Sequence, residues 1–313
     1  MDLKQLTLGV FYTLIFPGFL FTAVVGLFLT WVDRKVTAVV QSRVGPPWYQ
    51  PYADIGKLMA KKMLIPRGST AAGFLMAPLL AVAGSTLAAV IVFRALLRPE
   101  ASFVGDIIVL IYLSAMPAIA LIIGGASSRS PFGAVGASRE MSMVLAYEIT
   151  FLLSIMTVLI KVKSILFADI IAYQAQNGPI AFSVSGVLAL IVMLYSIQAK
   201  LGFLPFDISE AETELIGGPL AEYSGSGLAL FKLSRAMMFL YLPVLVILLF
   251  MGTTGPSLLS VIGFILKILI VLGLVILVKI THARLRLDQM LRLFWGRLAV
   301  IGLAAIVLAL LGW

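Results

Sequence analysis

The chain has 313 residues, 61% hydrophobic and 12% charged, with a formal net charge of +9, no cysteine and one histidine, His282. A soluble domain is about half apolar and about a quarter charged, so these totals describe an integral membrane protein and exclude a soluble enzyme. Without cysteine the chain holds no iron–sulfur cluster of its own, and one histidine leaves no bis-histidine haem or structural zinc site.

Eight apolar runs are readable, at about residues 9–31, 72–93, 104–124, 141–160, 183–203, 228–250, 257–280 and 297–312. They suit helices crossing a hydrocarbon core roughly 30 Å thick, and the period-two pattern of a β-barrel is missing. The expected fold is an all-α integral membrane protein: one polytopic domain, 1–313, of eight transmembrane helices. MDLKQLTLGV lacks a basic leader region and a small-residue cleavage site, so the first span is expected to be retained. Pro17, Pro78, Pro117 and Pro243 fall within spans, where neighbouring helices satisfy the freed carbonyls. Segments 32–71, 125–140, 200–224 and 279–297 hold fifteen Lys and Arg, against five on the opposite side. That bias predicts both termini outside and these four loops in the cytoplasm. The bases follow the loops and form no nucleic-acid patch.

The first cytoplasmic loop carries Tyr52, Ile55, Met59 and Met63 as an apolar stripe, with Asp54, Lys57 and Lys61 turned elsewhere. An amphipathic helix lying in the interface is expected there. The next cytoplasmic loop runs into the fourth span with Arg139 and Glu140 at its mouth. Glu148 lies eight residues on, roughly 12 Å along a helix. A carboxylate at that depth needs a partner or water, and it marks either a functional site or a polar contact between helices. Lys232 and Arg235 open the sixth span, either as snorkelling bases or as counter-charges to the acidic residues before them. Lys267 is nearer mid-membrane and is expected to be paired or to face a wet cavity. Near the C-terminus, Arg284, Arg286, Arg292, Arg297 and Trp295 suit anchoring at the membrane surface.

Leu204 to Gly225, LPFDISEAETELIGGPLAEYSG, carries Asp207, Glu210, Glu212, Glu214 and Glu222, and no base. Pro205 and the Gly217-Gly218-Pro219 break leave room for two or three helical turns. Ser209 and Glu212 have capping-box spacing, which predicts a helix starting at Ser209. On a helix, Asp207, Glu210 and Glu214 share one face and Glu212 points away. The segment is either a solvated acidic loop or a proton-handling cluster. No Walker, Rossmann or triad motif, internal repeat or inverted symmetry is visible.

Together VDRK at 32–35, GPPWYQPYADIGKLMAKK at 45–62, GASREMSMVLAYE at 136–148, PFDISEAETELIGGPLAEYSG at 205–225 and RLRLDQMLRLFW at 284–295 resemble one family. It is the eight-span subunit joining the membrane arm of respiratory complex I to its peripheral arm. Its counterparts occur in energy-converting membrane-bound [NiFe] hydrogenases. The resemblance covers nearly the whole chain. It implies a non-catalytic subunit of an oxidoreductase complex that couples electron transfer to H⁺ or Na⁺ pumping. It also implies iron–sulfur and large hydrogenase-like partners in the peripheral arm, antiporter-type partners in the membrane arm, and lipid around it. Iron–sulfur clusters and a [NiFe] site would then sit in those partners, and no cofactor or metal in this chain. By position, Asp54 and Lys57 belong to the interfacial helix of the family's loop chamber. Arg139 and Glu148 head a buried polar path, the five loop acids form an acidic funnel, and Arg284 and Arg286 are its basic border. Asp33 stands at the family's acidic position, with a reach shorter by one methylene. The family's A-E-x-N-R-x-P-F-D reads AKLGFLPFD at 199–207, with Lys200 for the glutamate and Phe203 for the arginine. That departure favours the hydrogenase-like branch, or a related sulfur-reducing one, over a quinone chamber. A stand-alone ion transporter is the reading from another class.

Overall fold

Among the described residues every regular element is helical, as follows when backbone groups must be satisfied within a segment that water does not reach. The computed structural model describes residues 3–252 and 258–313, without the side chains of 3–6, 101, 212 and 258. In chain order the helices are α1 (Leu3–Leu14), α2 (Phe19–Val40), α3 (Gln50–Ala60), α4 (Ala71–Leu97), α5 (Asp106–Ser127), α6 (Pro131–Val162) and α7 (Phe167–Asn177). There follow α8 (Val184–Lys200), α9 (Glu212–Leu215), α10 (Gly225–Val246), α11 (Leu258–Thr281), α12 (Leu287–Arg292) and α13 (Ala299–Leu310). Two π turns, Ile247–Met251 and Leu293–Leu298, extend α10 and join α12 to α13.

Among the described residues seven segments are long and apolar enough to cross a membrane, and α8, 17 residues and about 26 Å long, is the eighth apolar helix. The span expected at 141–160 begins earlier, at Pro131, a residue pre-set for a first helical turn. The last span is entered from Leu287 through α12 and its π turn. Pro17 sits in the break between α1 and α2, whereas Pro78, Pro117 and Pro243 lie inside α4, α5 and α10.

The chain packs as two compact units. One comprises Met1–Val90, Leu113–Ser142 and Asp207–Tyr241; the other comprises Ile91–Tyr112, Met143–Phe206 and Leu242–Trp313.

In the first unit, Gly45-Pro46-Pro47 follows the end of α2, and Pro51 supports the first turn of α3. Tyr52 and Ile55 of α3 pack on Ala23, Leu27, Leu233, Ala236 and Met237. The Tyr52 hydroxyl donates to the Val24 carbonyl at 2.9 Å, while Met59 stays exposed. Three of the four residues of the stripe expected to face the interface, Tyr52, Ile55 and Met63, are thus docked on the chain itself. Tyr223, at the end of the acidic segment, stacks on Phe74 with centroids 4.1 Å apart and donates to the Phe74 carbonyl at 2.9 Å. Burial pushes that phenol above its ordinary range. Two glycines let the same segment press onto its neighbours. A Cβ on Gly136 of α6 would lie 2.5 Å from the Pro219 ring. Gly218 holds φ +53, and a Cβ there would strike the Ser209 carbonyl at 1.9 Å.

In the second unit, Thr150 and Ser196 hydroxyls meet at 2.9 Å, and the Ser154 hydroxyl donates to the Ala189 carbonyl at 2.7 Å. These bonds tie α6 to α8 by the polar contacts that hold membrane helices together. The carbonyls freed around the first π turn are answered by Gln174, whose amide donates to Leu248 and Leu249 at 2.8 and 3.2 Å. Lys267 donates to the carbonyls of Met251 and Gly252 at 2.9 and 2.7 Å. Its partner, which the sequence does not name, is therefore the carbonyl end of a helix, where a cation is favoured.

Candidate functional site

Two polar clusters are enclosed by apolar helices, one in each unit. The first unit holds the acidic segment. Its helix is far shorter than expected: only Glu212–Leu215 is helical, so Asp207 and Glu210 lie outside it and share no helical face with Glu214. The capping box does not form either. Ser209 is buried and its hydroxyl donates to Glu140 Oε2 of α6 at 2.5 Å. That bond satisfies a carboxyl group which burial cuts off from water, so tertiary pairing displaces the local cap.

Glu210 is gripped at both oxygens by Arg235, Nη1 to Oε2 at 2.8 Å and Nη2 to Oε1. Arg235 is thus the counter-charge to the acidic segment, the second of its two expected roles. Arg139 donates from Nη1 to Glu214 Oε2 at 2.7 Å. Asp207 is half-buried, and its charge acts on both Glu140 and Arg235. Glu140, Asp207 and Glu210 are therefore three carboxyl groups around one guanidinium. Glu222 is exposed, as is Lys232, and the Glu212 side chain lies outside the described residues.

The remaining site residues of this unit lie on α2 and α3. Asp33 is buried on α2, and Lys57 is exposed on α3. Asp54 accepts from Arg34 and Gln50, each at 2.9 Å. Burial alone raises a carboxyl group. Here those hydrogen bonds and the charges of Arg34 and Lys57 outweigh it, and Asp54 is held below the usual carboxylate range.

The second unit holds Glu148. Its partner is Lys200, at the end of α8. The lysine side chain is 1% exposed and the glutamate side chain 16%. The ammonium also lies 4.3 Å from the Phe151 ring centroid and 5.5 Å from that of Tyr147. A buried ammonium is tolerated because it is answered at once by a carboxylate and by ring faces. Three residues on, Phe203 lies under the Lys279 ammonium, 4.8 Å from ring to nitrogen. Where the family pattern has an arginine, an aromatic ring here receives a cation from α11. Arg284 is half-buried and Arg286 exposed in the same unit, the latter at the start of α12. Among the described residues no group of three His, Cys, Asp or Glu side chains is placed to hold a metal.

Sequence reasoning missed three of these roles: Lys200 as the partner of Glu148, Ser209 as a donor to a carboxylate, and Glu140 as the buried member of the cluster. Lys200 was visible only as a departure from the family pattern, and nothing in the sequence tied it to Glu148.

Such a chain is a polytopic helical membrane protein whose ionisable groups are paired inside it. Residues 13–310 match the model of the NADH dehydrogenase family. A Dehalococcoides mccartyi protein, the H-type chain of an NADH-quinone oxidoreductase, is 32% identical over 308 residues, 95% of this chain and 84% of that one. Its namesake from Neisseria meningitidis is 33% identical over 302 residues, covering 90% and 84%. A chain of the membrane-bound sulfane sulfur reductase, an archaeal respiratory membrane complex, superposes with a TM-score of 0.86 at 27% identity, covering 96% of this chain and 99% of that one. The chain belongs to the NADH dehydrogenase family.

Proposed function

We propose that this chain is the membrane-arm subunit that links a peripheral redox arm to ion translocation, in a hydrogenase-type or sulfur-reducing respiratory complex. The relatives are named as a subunit of an NADH-quinone oxidoreductase, and the chain that superposes over almost the whole length comes from an archaeal respiratory membrane complex named a sulfane sulfur reductase. The observation that carries the reading is the Glu148–Lys200 ion pair in the interior of the second unit. An ionisable pair in a membrane span is expensive, and a path for charge is its commonest use. The cluster of Glu140, Asp207, Glu210 and Arg235 supplies the second element. There three carboxyl groups act on one guanidinium, so the charge on any one of them bears on the other two. Arg139, Glu212, Glu214 and Glu222 extend that acidic set. Asp33, Asp54 and Lys57 serve the face carrying the interfacial helix, and Arg284 and Arg286 form the basic border. The partners are then peripheral-arm iron–sulfur and large hydrogenase-like subunits, carrying the clusters and a [NiFe] centre, together with antiporter-type membrane subunits. Both termini face outward, as the charge bias of the loops requires.

Lys200 and Phe203 favour this branch over a quinone-reducing one. The first spends its charge on Glu148 and the second receives the Lys279 ammonium, so neither offers the acid and arginine of the quinone-type motif. The test is the intact complex in proteoliposomes, with electron-transfer rate and ion uptake measured together. Glu148→Gln should retain electron transfer and lose uptake, and quinone-site inhibitors should leave hydrogen- or sulfur-linked turnover unchanged. Uptake at the wild-type ratio would make Glu148 structural, and strong inhibition would return the quinone reading.

A further inference from the structure

Against α12 and the π turn that follows it, the second unit has a cavity of about 290 Å³, lined by Leu285, Gln289, Arg292, Leu293 and Arg297. It takes no part in either polar cluster. Its two arginines come together because of the π turn at Leu293–Leu298. In a regular α-helix, residues five apart point about 140° away from each other. A π turn closes on the fifth residue, so Arg292 and Arg297 stack one above the other. Gln289 lies one turn earlier on the same side, three residues before Arg292. Among the described residues neither guanidinium is held in an ion pair, and exposed Asp288 is held in none either. Basic anchoring alone needs no cavity and no break in helix geometry, and π turns are frequent at functional sites.

The surroundings give the ligand its class. The cavity opens at the start of the apolar segment Leu287–Leu310, and Trp295, two residues before Arg297, is exposed. Tryptophan and arginine at such a point mark headgroup depth. Two guanidiniums with fixed forks match phosphate oxygens, and the Gln289 amide adds a neutral donor. Leu285 and Leu293 supply an apolar wall. The volume lies at the lower edge for ligand cavities, about 300 Å³. That suits a headgroup better than an extended tail.

We propose that this cavity binds the phosphate of an anionic phospholipid headgroup, gripped by Arg292 and Arg297, with the acyl chains lying along α13. The lipid is an integral ligand of the last span, a role separate from ion coupling. Free phosphate offers the same oxygens, but at headgroup depth the membrane supplies lipid phosphate in far greater amount.

The test uses the whole purified complex, delipidated and exchanged into phosphatidylcholine nanodiscs containing trace phosphatidylglycerol, with retained lipid counted by native mass spectrometry. Wild type should retain phosphatidylglycerol selectively. Each of Arg292→Gln and Arg297→Gln should weaken retention about fivefold, and the pair about thirtyfold. Arg67→Gln, which removes an exposed base elsewhere on the chain, should leave retention unchanged. Arg292→Lys with Arg297→Lys keeps the charge for membrane insertion but loses the fork, and should also lose most of the selectivity. A wild-type complex with no preference for phosphatidylglycerol overturns the proposal without any variant. Equal loss in Arg67→Gln would reduce the effect to surface charge. Arginine-dependent binding of inorganic phosphate with unchanged lipid retention would assign the cavity to the free ion instead.

Discussion

Lys200→Met tests whether Glu148 and Lys200 stabilise the fold as a pair. With 1% and 16% of the two side chains exposed, solvent screens this pair little. Once the ammonium is gone, the carboxylate is left buried without its counter-charge, and the variant should lose about 3–5 kcal/mol of stability, as for a buried pair broken on one side. Glu148→Gln leaves the ammonium behind, partly compensated by the rings of Phe151 and Tyr147, and should lose a similar amount or less. Lys200→Met combined with Glu148→Gln removes both charges. It should lose clearly less than the sum of the two, with a coupling of about 2–3 kcal/mol. The assay is thermal melting of the purified complex, run beside ion uptake per electron in proteoliposomes. Melting shifts that simply add, within about 0.5 kcal/mol, would refute the pairing as an energetic unit.

Ser209→Ala removes the hydroxyl that donates to the buried Glu140 carboxyl and should cost about 1.5–3 kcal/mol, read by melting, with Ser209→Thr restoring most of it. The Asp54 carboxyl is held below its unfolded value, so its contribution is complete above the unfolded value and fades only as pH falls through the lower, folded one. The opening free energy of residues 50–60, read from hydrogen exchange after correction for the intrinsic pH dependence, should therefore stay flat from about pH 5 to 8 and fall only in acid. With partners 47% and 33% exposed, Arg34→Gln should shift it by no more than about 1 kcal/mol. Because native cysteine is absent, Ile216→Cys, at a position 67% exposed, reports the side of the membrane. Labelling by an impermeant reagent from outside intact cells would overturn the assigned orientation.

The helices were readable because hydrophobic length is a local property: each span carries its own signal, whatever it packs against. Helix ends were less so, and for a physical reason. Pro131 starts α6 well before the hydropathy rises, and α12 enters the last span through a π turn that no periodicity announces. The acidic segment shows the same limit more sharply. Its capping spacing and acid periodicity describe a helix, yet the fold there is decided by Glu140 and Arg235, residues 69 and 25 positions away from their partners. Pairing across such separations leaves no mark in one sequence, which is why Lys200 was readable as a substitution but not as the answer to Glu148.

What the contacts add is a division of labour among the acids. Arg34 meets Asp54, Arg139 meets Glu214, Arg235 meets Glu210 and Lys200 meets Glu148. Glu140 is answered differently, by the hydroxyl of Ser209, with Arg235 acting on it from beyond contact. A carboxylate locked in an ion pair gives up its charge only when the pair opens. A carboxyl held by a hydroxyl keeps its hydrogen bond in either protonation state, because the hydroxyl can donate or accept. On the proposed function, Glu140 is therefore the member of the first cluster that can exchange a proton without rearranging its neighbours, while Glu148 can do so only by parting from Lys200.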